Sequence, residues 1–430
     1  MAYGAKGPGQ RARDAYSKEP PTHGPSSPRQ ALPWVIAGIV VLALSLRAPI
    51  IAPTAVIGDI QADTGLTAAG AGLLTGLPVL LFALATPLAT RTIRRFGPEA
   101  TVILCLAGVL AGTVIRSIGP AAVVLAGTAI IGVSLTLGNI VVPVIIRRDV
   151  PWRKVSAVTG AYSATMNVGS MAVLLGTAPL AALVGWRWAI AAWTVVTAAG
   201  LAYWLIWGRP RFGPADGAAG AARVRETRPD PAAADGPGAA AATSRNRRIV
   251  ALLILAFCGQ SGAYYATTAW LPLLLADMRG LAPAASGATA SLFQIAAIVG
   301  AFGVPLLAAR TRTWVPVAVI GLFWVTLPIG LLLAPEAYVF WSIIGGIAQG
   351  GGFTAIFSII PRVARSDSEA ASASARVQAG GYLAATCTPP LAGWLNSATG
   401  GWSAPLLMVL GLTLAFNVGG LLAARQSERH

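Results

Sequence analysis

Charge is scarce in this chain. Only 11% of its 430 residues are Asp, Glu, Lys or Arg, against 55% hydrophobic. A soluble globular domain carries roughly 25% charged residues, so the composition argues against an ordinary water-soluble enzyme. Histidine is almost missing: His23 and His430 both lie outside the apolar body, which leaves no histidine there for a metal site or for acid–base work. Three cysteines, Cys105, Cys258 and Cys387, stand far apart in apolar runs. They make neither a disulfide framework nor a CxxC pattern. No acidic residue falls well inside an apolar run. Asp59, Asp63, Asp277 and Glu336 fall in loops at one end, Asp149, Asp367 and Glu369 in loops at the other, and Glu99 at a helix start. A carboxylate pair for hydrolysis and an intramembrane carboxylate relay both lack members. No cofactor and no metal are expected.

What the chain has is long apolar runs. The first spans Pro33–Ala55, and eleven more follow: Ala68–Thr90, Ala100–Ile118, Ala121–Ile146, Val155–Val184, Trp186–Trp207, Ile249–Ala276, Ala284–Ala309, Val315–Ala334, Ala337–Ile360, Ala371–Leu395 and Trp402–Ala424. About 20 apolar residues cross a bilayer as a helix. A soluble helical core needs polar outer faces at helical period, and these runs have almost none. The expected fold class is therefore an all-α membrane protein with twelve transmembrane helices in two six-helix bundles. The bundles fall at 33–208 and 248–424. Residues 209–247, rich in Ala, Gly, Pro and Arg, read as a cytoplasmic linker. Residues 1–32 read as a disordered cytoplasmic tail, because they are polar and carry no apolar run, and 425–430 as a second cytoplasmic tail.

The net charge of +16 follows the loops. If the first run starts in the cytoplasm, 26 of the 31 Lys and Arg fall on the inner side. Positive residues are retained inside, so both termini are expected in the cytoplasm of a multi-pass plasma-membrane protein. The charge is thus a topology signal, and no nucleic-acid partner is expected. The halves also echo each other. "IIG" at 130–132 recurs at 343–345, "PLA" at 179–181 recurs at 390–392, and each half carries a Gly-Trp pair, at 185–186 and 401–402. The first two matches stand 213 and 211 apart, and with the Gly-Trp pairs they point to an internal duplication.

Two cations lie inside the runs. Arg47 sits near the centre of the first, followed by Pro49 and Pro53. A charge at the bilayer centre costs about 2.5–3.5 kcal/mol on insertion scales and generally faces an interior or a cavity. Arg47 is the leading candidate to bind solute; its alternative role is to cap carbonyls that the two prolines set free. Arg376 enters the eleventh run and either faces the cavity or snorkels. Arg116 and Arg187, near outer helix ends, are expected to snorkel. Neutral polar side chains supply further candidates: Gln260, Tyr264, Gln378, Tyr382, Asn139, Asn167 and Gln294, with Tyr162, Tyr265 and Gln349 also inside runs. Amides and phenols donate to an anion without adding charge. An offset of 213 sets Gln260 opposite Arg47. Asp149 is expected to pair with Arg91, Arg94 or Arg95 as a cytoplasmic gate.

Six strings together resemble the major facilitator superfamily and, within it, the cyanate/nitroimidazole permease family. They are LSLRAPIIAPT, LLTGLPVLLFALATPLATRTIRRFG, GNIVVPVIIRRDVPWRKVSAVTGAY, GQSGAYYATTAWLPLLL, SLFQIAAIVG and VQAGGYLAATCTPPLAGWL, and the resemblance covers about residues 34–424. In the superfamily's loop motif, Thr90 stands where Asp is usual and Ile93 where Gly is usual, while Arg91, Arg94 and Arg95 remain. The resemblance implies parallel six-helix repeats around a central cavity and a secondary transporter working by alternating access. With Arg47, the expected cargo is a small anionic or polar solute, cyanate-like or another small anion. The competing readings are a drug exporter on the same fold and a membrane-embedded enzyme or sensor. The expected partners are the solute and membrane lipids, and the expected working unit is a monomer.

Overall fold

A computed structural model describes residues 32–207, 237–364 and 367–428. Residues 1–31 of the expected tail, 209–236 of the linker, Arg365 and the last two residues lie outside the described residues, while 237–247, expected as linker, are helical. Within them the chain is helical. Helix α1 is Leu32–Ala55, α2 Ile57–Thr64, α3 Ala68–Leu84, α4 Thr86–Ile118, α5 Ala121–Asp149, α6 Trp152–Val184, α7 Trp186–Ala192 and α8 Thr194–Trp207. Then come α9 Pro237–Arg279, α10 Pro283–Ala308, α11 Trp314–Leu333, α12 Tyr338–Val363, α13 Asp367–Thr399 and α14 Ser403–Ser427. Among the described residues ten segments are long and apolar enough to cross a membrane, and α3 is a shorter apolar helix. The remaining expected run lies in α13, whose first turns are polar.

Helix is the form a chain takes where its backbone cannot reach water. Hydroxyls inside the spans turn back onto their own helices: Thr101 to Gly97, Thr113 to Val109, Thr128 to Val124. This satisfies the side chain without a partner helix. The expected boundary between the second and third runs is a kink inside α4, where Gly97 takes φ 86° and ψ 167°. Only glycine enters that region readily. The sixth run is broken at Trp193, between α7 and α8.

The end where α1 begins is called proximal and the opposite end distal. Helices α1 and α6, α4 and α5 pack within the first half, and α9 with α13 and α14, α10 with α12 within the second. The halves meet through α3 on α13 and α6 on α10. These contacts are closest near the distal end. A Cβ at Gly72 would lie 2.5 Å from the Pro389 carbonyl carbon, and one at Gly287 2.7 Å from the Leu174 oxygen. Towards the proximal end α3 loosens: its distal turns are largely buried, whereas Ala83, Leu84 and, beyond it, Leu88 are exposed. A Cβ at Gly160 would find Phe302 only at 3.8 Å.

The duplication is visible in these contacts. Gly287 lies 215 positions after Gly72, and Pro389 lies 215 after Leu174. At the distal rim the Trp186 indole donates to Asp63 at 3.1 Å and the Trp402 indole to Asp277 at 2.9 Å. Arg187 does not snorkel freely. It donates to Asp63 at 2.8 Å and to the carbonyls of Ser117 and Gly119, and it lies over the Trp186 ring.

Candidate functional site: a cationic centre between the halves

Arg47 projects from the middle of α1. It is half-buried, with both neighbouring residues, Leu46 and Ala48, buried. The titratable groups acting on it are four phenols: Tyr264 and Tyr265 of α9, Tyr162 of α6 and Tyr382 of α13. Of the four, Tyr265 sits beside the guanidinium from the second half. Both halves therefore contribute. Aromatic packing sets the phenols in place. Tyr264 meets Tyr265 edge-on at 4.8 Å and stacks on Phe293 at 6.4 Å; Tyr382 meets Phe82 of α3 and Phe257 edge-on. Val79, Tyr265 and Ala385 form a buried cluster beneath them. Among the described residues no carboxylate pairs with Arg47. The centre thus offers a planar fork of N–H donors beside neutral hydroxyls that donate or accept.

Of the expected site residues, Arg47, Tyr264 and Tyr382 are brought together. Gln260 is not part of this group. Its amide donates to the Gln349 carbonyl at 2.7 Å and its oxygen accepts from the Trp324 indole, so it is 4% exposed inside the second half. The reason is the offset. Leu46 packs on Gly138 and Gln260 packs on Gly352; both pairs are 214 apart, so Gln260 is the counterpart of Leu46 and Ser261 that of Arg47. One residue turns a helix by about 100°, which carries Gln260 off the cavity face. Tyr265 lies one turn beyond Ser261, on the matching face. The sequence places Tyr265 among the polar residues inside the runs without singling it out, and the offset of 214 is the signal that does.

Gln294 is also turned into the second half, donating to Thr268 at 3.3 Å. Asn167 bonds the Ser163 carbonyl of its own helix, and Asn139 and Gln378 are partly buried. Arg376 is exposed at the proximal end, bonding the Ser372 carbonyl, and lines a separate cavity of about 260 Å³ with Asn246 and Glu369. The expected gate is arranged differently too. Asp149 is joined by Arg148, which also binds the buried Glu99, while Arg91, Arg94 and Arg95 are exposed and Arg95 lies over Phe96. Arg116, expected to snorkel, is 1% exposed.

The sequence model of the Major Facilitator Superfamily matches residues 34–342. The chain belongs to that superfamily. It is a multi-pass membrane transporter and not an enzyme. It is 32% identical to the 2-nitroimidazole transporter of Escherichia coli K12 over 92% of this chain and 96% of the relative. It is 29% identical to an uncharacterised transporter of Bacillus subtilis 168 over the same shares. Among solved structures, a bacterial homologue of the human lysosomal transporter Spinster, inward-facing and unoccupied, superposes with a TM-score of 0.71 at 15% identity, covering 93% of this chain and 99% of the other. A peptide transporter in complex with sulfate gives 0.69 at 14% identity, over 93% and 98%. At such identities the likeness concerns the fold alone.

Proposed function

We propose that this transporter carries a compact solute with an anionic or strongly accepting group, held between the halves by Arg47 and moved by alternating access. The observation that carries the reading is the uncompensated Arg47 guanidinium ringed by Tyr162, Tyr264, Tyr265 and Tyr382 from both halves. A planar group with two acceptor oxygens suits the guanidinium fork; a nitro group or a carboxylate has that shape, and cyanate or nitrate is a smaller version of the same chemistry. The similarity to a 2-nitroimidazole transporter supports the same solute class. Lipophilic cations fit a positive centre poorly, because like charges repel.

The proposed architecture is twelve spans, counting α3 and α13 with the ten longer ones, in bundles at 33–208 and 248–424. The concentration of Lys and Arg at the proximal end supports a cytoplasmic proximal face in the plasma membrane. With the halves pressed together distally, the described state is then inward-open. The spans carry no dedicated carboxylate relay among the described residues, so the solute brings its own proton or travels by uniport or exchange.

The test is solute binding to purified protein. 2-Nitroimidazole, cyanate, nitrate and small carboxylates should raise the melting temperature, with saturable binding that Arg47→Ala abolishes and Arg47→Lys restores in part. Unchanged affinity in Arg47→Ala would overturn the reading.

A further inference from the structure

Arg116 is a buried cation that the solute site does not use. It lies near the distal end of α4. Its Nη1 donates to the Pro49 carbonyl at 2.6 Å, while Nε and Nη2 are buried without a hydrogen-bond partner. The ion pairs among the described residues join Arg148 to Glu99 and Asp149, and Arg187 to Asp63; none includes Arg116. A guanidinium remains protonated in a protein, and a buried charge without a counter-charge is strongly unfavourable.

Arg116 lines a small pocket. Its walls include Ala48 and Pro49 of α1, Thr113 of α4, and Trp193, Thr194 and Thr197 at the break between α7 and α8. Its volume is about 10 Å³, room for one water-sized species. The Thr113 and Thr194 hydroxyls donate to carbonyls of their own helices and can rotate towards a guest. A water there would accept from the free N–H groups and leave the charge uncompensated. A monatomic anion would do both.

We propose that Arg116 holds one small monatomic anion, chloride being the abundant one, in this pocket between α1, α4 and the broken sixth span. The anion is a resident structural ion and not cargo. By fixing Arg116 it fixes the Pro49 carbonyl, two residues beyond Arg47, and so the local course of α1.

The experiment compares thermal unfolding of the purified full chain in sodium chloride and in sodium gluconate at equal ionic strength. Chloride and bromide should raise Tm by several degrees and saturate, and gluconate, too large for the pocket, should not. Arg47→Ala should keep the effect and Arg116→Gln should lose it. Bromide-soaked wild-type crystals should show an anomalous peak beside Arg116 Nη2, which decides the matter if Arg116→Gln fails to fold. Equal melting in both salts, a water only in the pocket, or loss of the effect in Arg47→Ala would overturn the proposal.

Discussion

Arg116 donates to the carbonyl of Pro49, and that carbonyl is the one Pro53 leaves without its helical partner. A proline at position i removes the bond to residue i−4. The capping role open to Arg47 in the sequence is therefore filled at this carbonyl by a different arginine. Arg47→Ala should accordingly keep its melting temperature within about a degree while losing solute binding. Arg116→Ala should be destabilised by roughly 1–3 kcal/mol, the cost of a buried carbonyl left unpaired. Thermal unfolding of the two variants side by side checks this.

Tyr265 and Gln260 should separate function from packing. Tyr265→Phe keeps the ring packing and removes the hydroxyl near Arg47, so solute affinity should fall about three- to tenfold with little change in stability. Gln260→Leu leaves the Trp324 indole without its acceptor and takes the side-chain donor from the Gln349 carbonyl, which keeps its helical bond. It should cost about 1–3 kcal/mol of stability and change affinity less than twofold in the protein that survives. Calorimetric titration and unfolding curves on both variants read the difference.

The distal seal should yield to side chains. Gly72→Leu places a side chain against the Pro389 backbone, where even a Cβ is too close. The halves should then favour the state parted distally. Cysteine labelling of cavity positions from the distal side should rise severalfold, and transport should fall. Unaltered labelling would show that the clash is absorbed elsewhere.

At the proximal end Arg148 links Glu99 to Asp149. Glu99 is 3% exposed, so Arg148→Gln removes a cation that a buried carboxylate binds, a change that is destabilising when a pair is buried and milder here because Arg148 is partly exposed. Arg148→Gln should alter the ratio of inward to outward accessibility, and Glu99→Gln should relieve part of the effect when the two are combined. Additive behaviour in the double mutant would mean that the two residues do not act together.

The spans were legible because apolar runs without polar faces have one stable form in a bilayer. Arg47 was legible because a charge at mid-span is rarely tolerated without use. Four features were not. The kink at Gly97 and the break at Trp193 depend on backbone torsion and packing, which composition does not carry. The facing residues depend on the offset, which the repeated IIG string sets at 213 and the contacts beside Arg47 at 214, and a slip of one residue rotates a helix by about 100°. Arg116 looked free to reach the membrane surface because its Cα lies near a helix end. Side chains lean towards the N-terminus of their helix, so an arginine at a C-terminal end leans back into the interior. Arg376, near the start of α13, leans outwards and is exposed, as the same geometry requires.

Where Gly72 meets Pro389 and Gly287 meets Leu174, the facing atoms are bare backbone. The distal closure there is held by shape and dispersion, with no ion pair or hydrogen bond of these residues joining the halves. Such a joint behaves like two smooth plates: ionic strength and pH have nothing in it to act on. Hydrostatic pressure does, because packed surfaces that part change the enclosed void volume. The proximal end, studded with arginine, responds to salt instead. The two ends of one rocking motion would thus answer to different physical variables, and the balance between open states could be tuned from either side independently.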